Sequence, residues 1–344
     1  MSSEKLTATS LWFPAPRTVE LRTEQIGKPD AGEVRIQTIA SGISAGTELL
    51  VYRGLVPPEL PLDLPGMAGS FGFPIKFGYA SVGRIVETGA GVDASRMGEL
   101  VFVHHPHQSQ YVARSEDAIT LGDETPPTVG TLLANLETAI NVVLDAHPRL
   151  GDRIVIFGQG VVGLLITALL RRAGAGLLIA VEPDAARANL SMQLGADGVA
   201  RDGDEAAQMV ENLGHCKGAD IALECSGNPA AMDEALGTVA AEGSLVAVSW
   251  YGVKPVPLHL GAEFHRKRLR IISSQVGGMD PALTPRWNRG RRLDLARAIL
   301  PQIPVHLLVT HQIPFQRARE AYQLLESRKD GAIHIALTYE DRNV

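Results

Sequence analysis

Cysteine is almost missing from this chain: Cys216 and Cys225 are the only two in 344 residues. Two thiols cannot form a disulfide framework in a chain of this length, and without a Cys-x-x-Cys pair there is no thiolate clip to hold a metal. Long apolar runs are lacking as well. No uninterrupted stretch approaches the roughly 20 apolar residues that span a bilayer. The opening MSSEKLTATSLWFPAP has no apolar block behind a basic start, so no secretory signal and no membrane partner are expected, and the cytoplasm is the expected location. Excess positive charge is lacking too. Lys and Arg number 32 against 38 Asp and Glu, a net charge of −6, which argues against nucleic acid or an anionic membrane as partner. There is no internal repeat and no low-complexity tract.

What is present fits a soluble globular chain long enough for two cores. The first third reads as β-structure, with short apolar or alternating runs at 11–13, 19–21, 33–40, 80–87 and 100–103. Residues 51–77 are rich in Pro and Gly and read as loop. Residues 130–147 have helical spacing of apolar positions. From Gly151 onward, strand-length apolar runs (IVIFG, GLLIAVE, ADIALECSG, SLVAVSW) alternate with helix-length segments. That alternation is the pattern of βαβ units and a parallel sheet. The fold class expected is therefore α/β.

The strongest motif is Gly158-Gln159-Gly160-Val161-Val162-Gly163, a G-x-G-x-x-G. A glycine triplet alone is weak, but this one follows an apolar strand and opens an apolar helix. The next strand ends in Glu182, 24 residues after Gly158. This is the arrangement that a dinucleotide requires: a tight turn, close backbone approach to the pyrophosphate, and a helix N-terminus facing the phosphates. Glu182 is placed to accept hydrogen bonds from the adenosine ribose, and its charge opposes a 2′-phosphate. NAD is the expected cofactor, with NADP left open because Arg187 lies close enough in sequence to meet a phosphate. Ser226, Gly227, Ser249 and Ser274 fall at the ends of successive strands, where such sheets bind ligands, and complete the candidate cofactor contacts.

With these motifs in order, the chain resembles the medium-chain dehydrogenases/reductases over nearly its full length. Residues 42–48, GISAGTE, stand where zinc alcohol dehydrogenases have Gly-Ile-Cys-Gly-Thr-Asp, and Gly78-Tyr79-Ala80 replaces their Gly-His-Glu. The resemblance implies a GroES-like β-rich catalytic domain over 1–129, a Rossmann domain over 130–277, and a return to the catalytic domain over 278–344. It also implies a homodimer joined edge to edge through the last Rossmann strand near 267–276, which a monomeric mass in solution would contradict. A narrower similarity, carried by SGISAGTE, GYASVGR and the tract from Trp250 to Val276, is to the subgroup around 2-desacetyl-2-hydroxyethyl bacteriochlorophyllide dehydrogenase.

The departures from the zinc pattern are as informative as the matches. Cysteine is absent near Ser44 and Ala45, Tyr79 replaces the histidine, and Asn135 is a poor ligand where a cysteine or acid is usual. No zinc is expected. His104, His105 and His107 share one short Pro-containing stretch with no fourth ligand in view. Without a Lewis acid, hydrogen-bond donors must take the charge that builds on the alcohol oxygen. By the resemblance Thr47 contacts that oxygen, Tyr79 stands at a former ligand position, Glu48 braces the site, and His107 is a third candidate, as a proton shuttle. Against these roles stand plain ones: Thr47 as a helix cap, Tyr79 as a core aromatic. The function implied is hydride exchange between NAD(P) and a secondary alcohol or ketone, a small-molecule substrate of medium or bulky size. A zinc-free quinone or enoyl reductase and a non-catalytic nucleotide-binding scaffold are the competing readings. The stretch 265–292 carries eight Lys or Arg and one Asp, either to meet an anionic substrate group or as a solvated face or dimer rim.

Overall fold

The computed structural model describes residues 6–62, 67–327 and 331–340. The chain divides into two units, Met1–Ala134 with Leu308–Val344, and Asn135–Leu307. The boundaries expected at 129/130 and 277/278 move to 134/135 and 307/308.

The first unit is built on antiparallel pairing. The long strand Glu33–Ile43 alternates buried and half-exposed residues up to Ala40, as a strand with one face on a core must. It pairs with Ser81–Thr88, Gln110–Arg114 and His334–Thr338, so the returning C-terminal segment is stitched to the strand that leads into the GISAGTE turn. A smaller sheet sets Thr7–Phe13 between Glu20–Gln25 and Ile75–Lys76. Leu11, Phe13, Ile43, Phe77 and Tyr322 meet in the core of this unit. The segment 51–77, read as loop from its composition, holds the end of the helix Thr47–Tyr52 and the short strand Ile75–Lys76; its residues 63–66 lie outside the described residues.

His334 opens its strand with 1% exposure. Its Nε2 lies 2.8 Å from the Thr131 hydroxyl, which itself donates to the Thr128 carbonyl at 2.6 Å. Nε2 therefore carries the proton, and Nδ1 has no partner. Burial lowers the His334 pKa from 6.5 to about 4. Because the folded value lies below the unfolded one, the unfolded chain takes the proton first. The contribution is whole above pH 6.5 and is lost as pH falls through 4. The displacement corresponds to about 3 kcal/mol. Unfolding midpoints in urea between pH 7 and 4 should therefore fall more steeply for the wild type than for His334→Gln, and parallel slopes would refute this account.

In the second unit, six parallel strands lie in the order Gly198–Ala200, Leu177–Val181, Arg153–Phe157, Ala219–Glu224, Val239–Ala247 and Arg270–Ser273. The strands Arg153–Phe157 and Leu177–Val181 are buried almost throughout, as a sheet covered by helices on both faces requires. The helix Val161–Ala173 is likewise apolar nearly all round and ends at Gly174 in the left-handed conformation. The strand Gly198–Ala200 and the helix Gly203–Gly214 escaped the reading of the sequence. The strand has three residues, and the helix announces itself mainly by its cap, the Asp202 side chain accepting from the Glu205 N–H at 2.9 Å. Arg270–Ser273 forms the far edge of the sheet and is mostly exposed.

The second unit keeps residues 278–307 because Arg292 anchors them. Its guanidinium, 3% exposed, bonds Glu137 at 2.9 Å, Asn141 at 2.5 Å and the carbonyls of Val276 and Gly278 at 2.7 and 3.3 Å. Removing one partner of such a buried pair strands the other charge, at about 3–5 kcal/mol. The basic stretch thus contributes one structural arginine. Its neighbours are engaged more loosely: Lys267 with Glu263, Arg268 with Glu242, and Arg291 over the Trp287 ring. Pro127–Ala146 is long and apolar enough to cross a membrane by composition, but 83% of its most apolar window is buried inside the protein, the behaviour of a core element.

Candidate active site and dinucleotide site

The fingerprint turn takes its shape from glycines with different duties. Gly158 has φ +87°, open to glycine at no cost, and a Cβ there would lie 2.7 Å from the Ser226 backbone. A Cβ on Gly163 would lie 2.0 Å from the Gly158 carbonyl oxygen, so this glycine is required by close packing of the helix on the turn. Gly160 is the exception: a Cβ there meets nothing within 4 Å. Gly160 is also the N-cap of Val161–Ala173, and no side chain caps that helix. The helix N-terminus at Val161, Val162 and Gly163 is thus left to whatever occupies the space in front of Gly160.

Glu182 is 8% exposed, and its carboxylate accepts the N–H of Gln159 at 2.8 Å and of Asp184 at 3.0 Å. The acid at the end of the second strand therefore holds the fingerprint turn in place. Gln159, a candidate cofactor contact by its place in the fingerprint, turns its side chain inward. It is wholly buried, with its amide oxygen accepting from Thr167 at 3.0 Å and its amide nitrogen donating to Ile156 at 3.4 Å, which bolts the turn to the helix. Arg187 sits in the first turn of Ala185–Gln193, its backbone N–H taken by the cap Asp184. Ser274 is also corrected: its hydroxyl donates to Asp145 at 2.6 Å inside the Arg292 network. Burial raises the Asp145 pKa above the usual carboxylate range, against the Ser274 hydrogen bond that lowers it.

Ser226, Gly227 and Ser249 do meet at the carboxyl ends of the central strands, and a residue overlooked in the sequence brings them together. Glu224, with no exposed surface, accepts from the Ser226 N–H at 2.7 Å, the Ser226 hydroxyl at 2.5 Å and the Gly227 N–H at 3.0 Å. Ser249 accepts from the same Gly227 N–H at 2.8 Å. Tyr251 donates to Glu224 at 2.5 Å, and its phenol pKa is raised, first by burial and then by the Glu224 carboxylate. The signal available in the sequence was an acid closing the buried strand Ala219–Glu224, a position with no solvent to receive its charge.

In the first unit, Thr47 and Glu48 open the short helix Thr47–Tyr52, whose N-cap is Gly46 with no side-chain cap, so Thr47 is not a capping residue. Tyr79 is half-buried and packs edge-on against Phe77 at 6.2 Å. Desolvation pushes its phenol pKa up to about 12, against the neighbouring Ser44 and Thr47 side chains, which lower it. It is therefore a protonated donor at neutral pH. Glu48 and His107 lie behind this cluster, both with no exposed surface. Glu48 Oε1 accepts from His107 Nε2 at 2.8 Å and from the Tyr322 hydroxyl, while Oε2 accepts the Ser44 N–H at 3.1 Å. His107 Nδ1 meets Ser41 at 2.7 Å, and Ser41 meets Tyr339 at 2.8 Å. The idea of His107 as a proton shuttle is corrected by this geometry: both ring nitrogens are engaged and neither reaches a surface. His107 positions Glu48, which in turn holds the backbone of Ser44. His105 stacks on Tyr111 at 3.6 Å, and its burial lowers its pKa to about 3.

The profile of the zinc-binding dehydrogenase family matches residues 161–289. The chain is 29% identical to (R,R)-butanediol dehydrogenase of Bacillus subtilis over 76% of this chain and 81% of that protein. It is 26% identical to D-guloside 3-dehydrogenase of Escherichia coli over 98% of this chain and all of the relative. Among solved structures, an alcohol dehydrogenase of Escherichia coli CFT073 in complex with NADH superposes with a TM-score of 0.79 at 19% identity, covering 96% of this chain and 99% of that one, a likeness of fold. With its mixed fold and parallel dinucleotide-type sheet, the chain is an oxidoreductase similar to the medium-chain alcohol dehydrogenases.

Proposed function

We propose that this enzyme exchanges hydride between a nicotinamide dinucleotide, preferentially NAD, and a secondary alcohol or ketone of medium or bulky size, without zinc. The observation that carries the reading is the cluster of three hydroxyls, Tyr79, Ser44 and Thr47, where a zinc-dependent relative needs imidazole and thiolate. The donor set does not fit zinc. These oxygens are neutral, with Tyr79 held protonated, and the nearest imidazole and carboxylate, His107 and Glu48, are spent on each other. Among the described residues no three His, Cys, Asp or Glu converge as a metal site.

Bound at the fingerprint turn, the dinucleotide supplies or accepts the hydride. Gly158, Gly160 and Gly163 would shape its cradle, the N–H groups of Val161, Val162 and Gly163 would hold the pyrophosphate, and Glu182 would accept from the adenosine ribose. The carboxylate of Glu182 disfavours a 2′-phosphate, which is the basis for NAD. In the reducing direction the substrate oxygen gains negative charge as hydride reaches its carbon. The Tyr79 O–H, beside Ser44 and Thr47, donates to that oxygen and delivers the proton. Oxidation runs the same steps in reverse.

The test is turnover on alcohols, ketones, enones and quinones with NAD(H) and NADP(H), with and without chelator, alongside metal analysis. The expected result is alcohol or ketone turnover that prefers NAD(H), survives chelation and accompanies no stoichiometric zinc. One zinc per chain bound by side chains of the first unit, or a clear NADPH preference, would overturn the corresponding part. Turnover confined to enones or quinones would replace the reading by a quinone or enoyl reductase.

A further inference from the structure

Glu224 is wholly buried at the end of a central strand, yet hydride exchange gives it no role. Its place in the sheet suggests one. Ala219–Glu224 and Leu177–Val181 flank Arg153–Phe157 on opposite sides. A doubly wound sheet binds a dinucleotide across its two halves, beyond the carboxyl ends of the strands. With the adenosine ribose at Glu182, on the Leu177–Val181 side, the nicotinamide riboside falls on the Ala219–Glu224 side.

On that side the chain turns sharply at residues 225–227, and Glu224 fixes the turn by accepting two of its backbone N–H groups and the Ser226 hydroxyl. Lys254 adds a bond from its ammonium to the Gly227 carbonyl at 2.6 Å. The turn presses on the phosphate loop, since the space beside Gly158 is filled by Ser226. One wall of the cleft is therefore located by one carboxylate, which itself stays in place through its donors. A buried carboxylate short of hydrogen bonds would rotate or draw in water.

We propose that Glu224, clamped by Tyr251, is a positioning residue that sets the nicotinamide-riboside subsite of the dinucleotide cleft. The proposal rests on the reading of residues 158–163 as a dinucleotide site. Tyr251→Phe removes the donor to Glu224 Oε2. Glu224→Gln keeps an acceptor for the turn but puts an amide where a charged oxygen met the tyrosine.

The experiment measures binding of NADH by fluorescence and of ADP by calorimetry to the full-length protein and both variants. ADP fills only the adenosine and pyrophosphate half. NADH should bind about tenfold more weakly in each variant, the scale of one hydrogen bond to a charged group, with ADP changed by less than about twofold. Unchanged NADH affinity in a folded variant overturns the proposal. Parallel weakening of NADH and ADP also overturns it, since Glu224 would then support the unit as a whole. Should Glu224→Gln not fold, Tyr251→Phe, which deletes one hydroxyl, decides alone. Wild-type protein that binds neither ligand overturns the dinucleotide reading itself, and the proposal with it.

Discussion

Replacing Tyr79 by Phe, or Thr47 by Val, should lower turnover by about 100-fold or more, the scale set by losing a proton donor or one oxyanion partner. Phenylalanine keeps the ring packed against Phe77 and removes only the hydroxyl. Valine is close in shape to threonine and removes the hydroxyl beside the phenol. Affinity for NADH should barely change, because both residues belong to the first unit and the fingerprint lies in the second. His107→Ala is expected to cost less in turnover and more in stability. It leaves Glu48 and Ser41 buried without their shared partner but touches no group on the reacting side. If both hydroxyl variants turn over normally while His107→Ala is inactive, the roles are assigned wrongly, although hydride exchange survives.

The second large effect is expected at Gly160. Gly160→Val should weaken NADH binding by about 100-fold or more, close to 3 kcal/mol, while the protein stays folded. The reason is the contrast among the glycines. Side chains at Gly158 and Gly163 would collide with the protein itself, at 2.7 and 2.0 Å, so loss of binding there would be confounded with damage to the fold. At Gly160 an added Cβ meets no protein atom within 4 Å and enters the space where a pyrophosphate must approach the helix N-terminus. The measurement is NADH fluorescence titration alongside thermal unfolding. A folded Gly160→Val that binds NADH as the wild type does would remove the basis of the phosphate-loop assignment.

Much of this site was legible in the chain because its signals are local. The strand, turn and helix around Gly158–Gly163 follow one another within about two dozen residues, and each glycine answers to its immediate neighbours. Tyr79 and Thr47 stood out by the motifs around them. What the sequence does not show is set by partners on other elements. The Gln159 side chain accepts from Thr167, eight residues on in the following helix. Ser274 meets Asp145, 129 residues away. His107 pairs with Glu48 across 59 residues, and Tyr322 reaches the same carboxylate from 274 residues away.

The sequence by itself determined the architecture, the dinucleotide fingerprint and the motifs that single out Thr47 and Tyr79. Hydrophobic periodicity and short-range turn chemistry are properties of neighbouring residues, and they survive in the chain whatever its distant parts do. Only the tertiary structure decided which polar groups are free to act. It buried His107 and Gln159, gave Tyr79 its partners and raised its pKa, and closed the Glu224 clamp. Those outcomes depend on desolvation and on donors from other strands and helices, and a buried polar group is satisfied by whatever the fold brings to it.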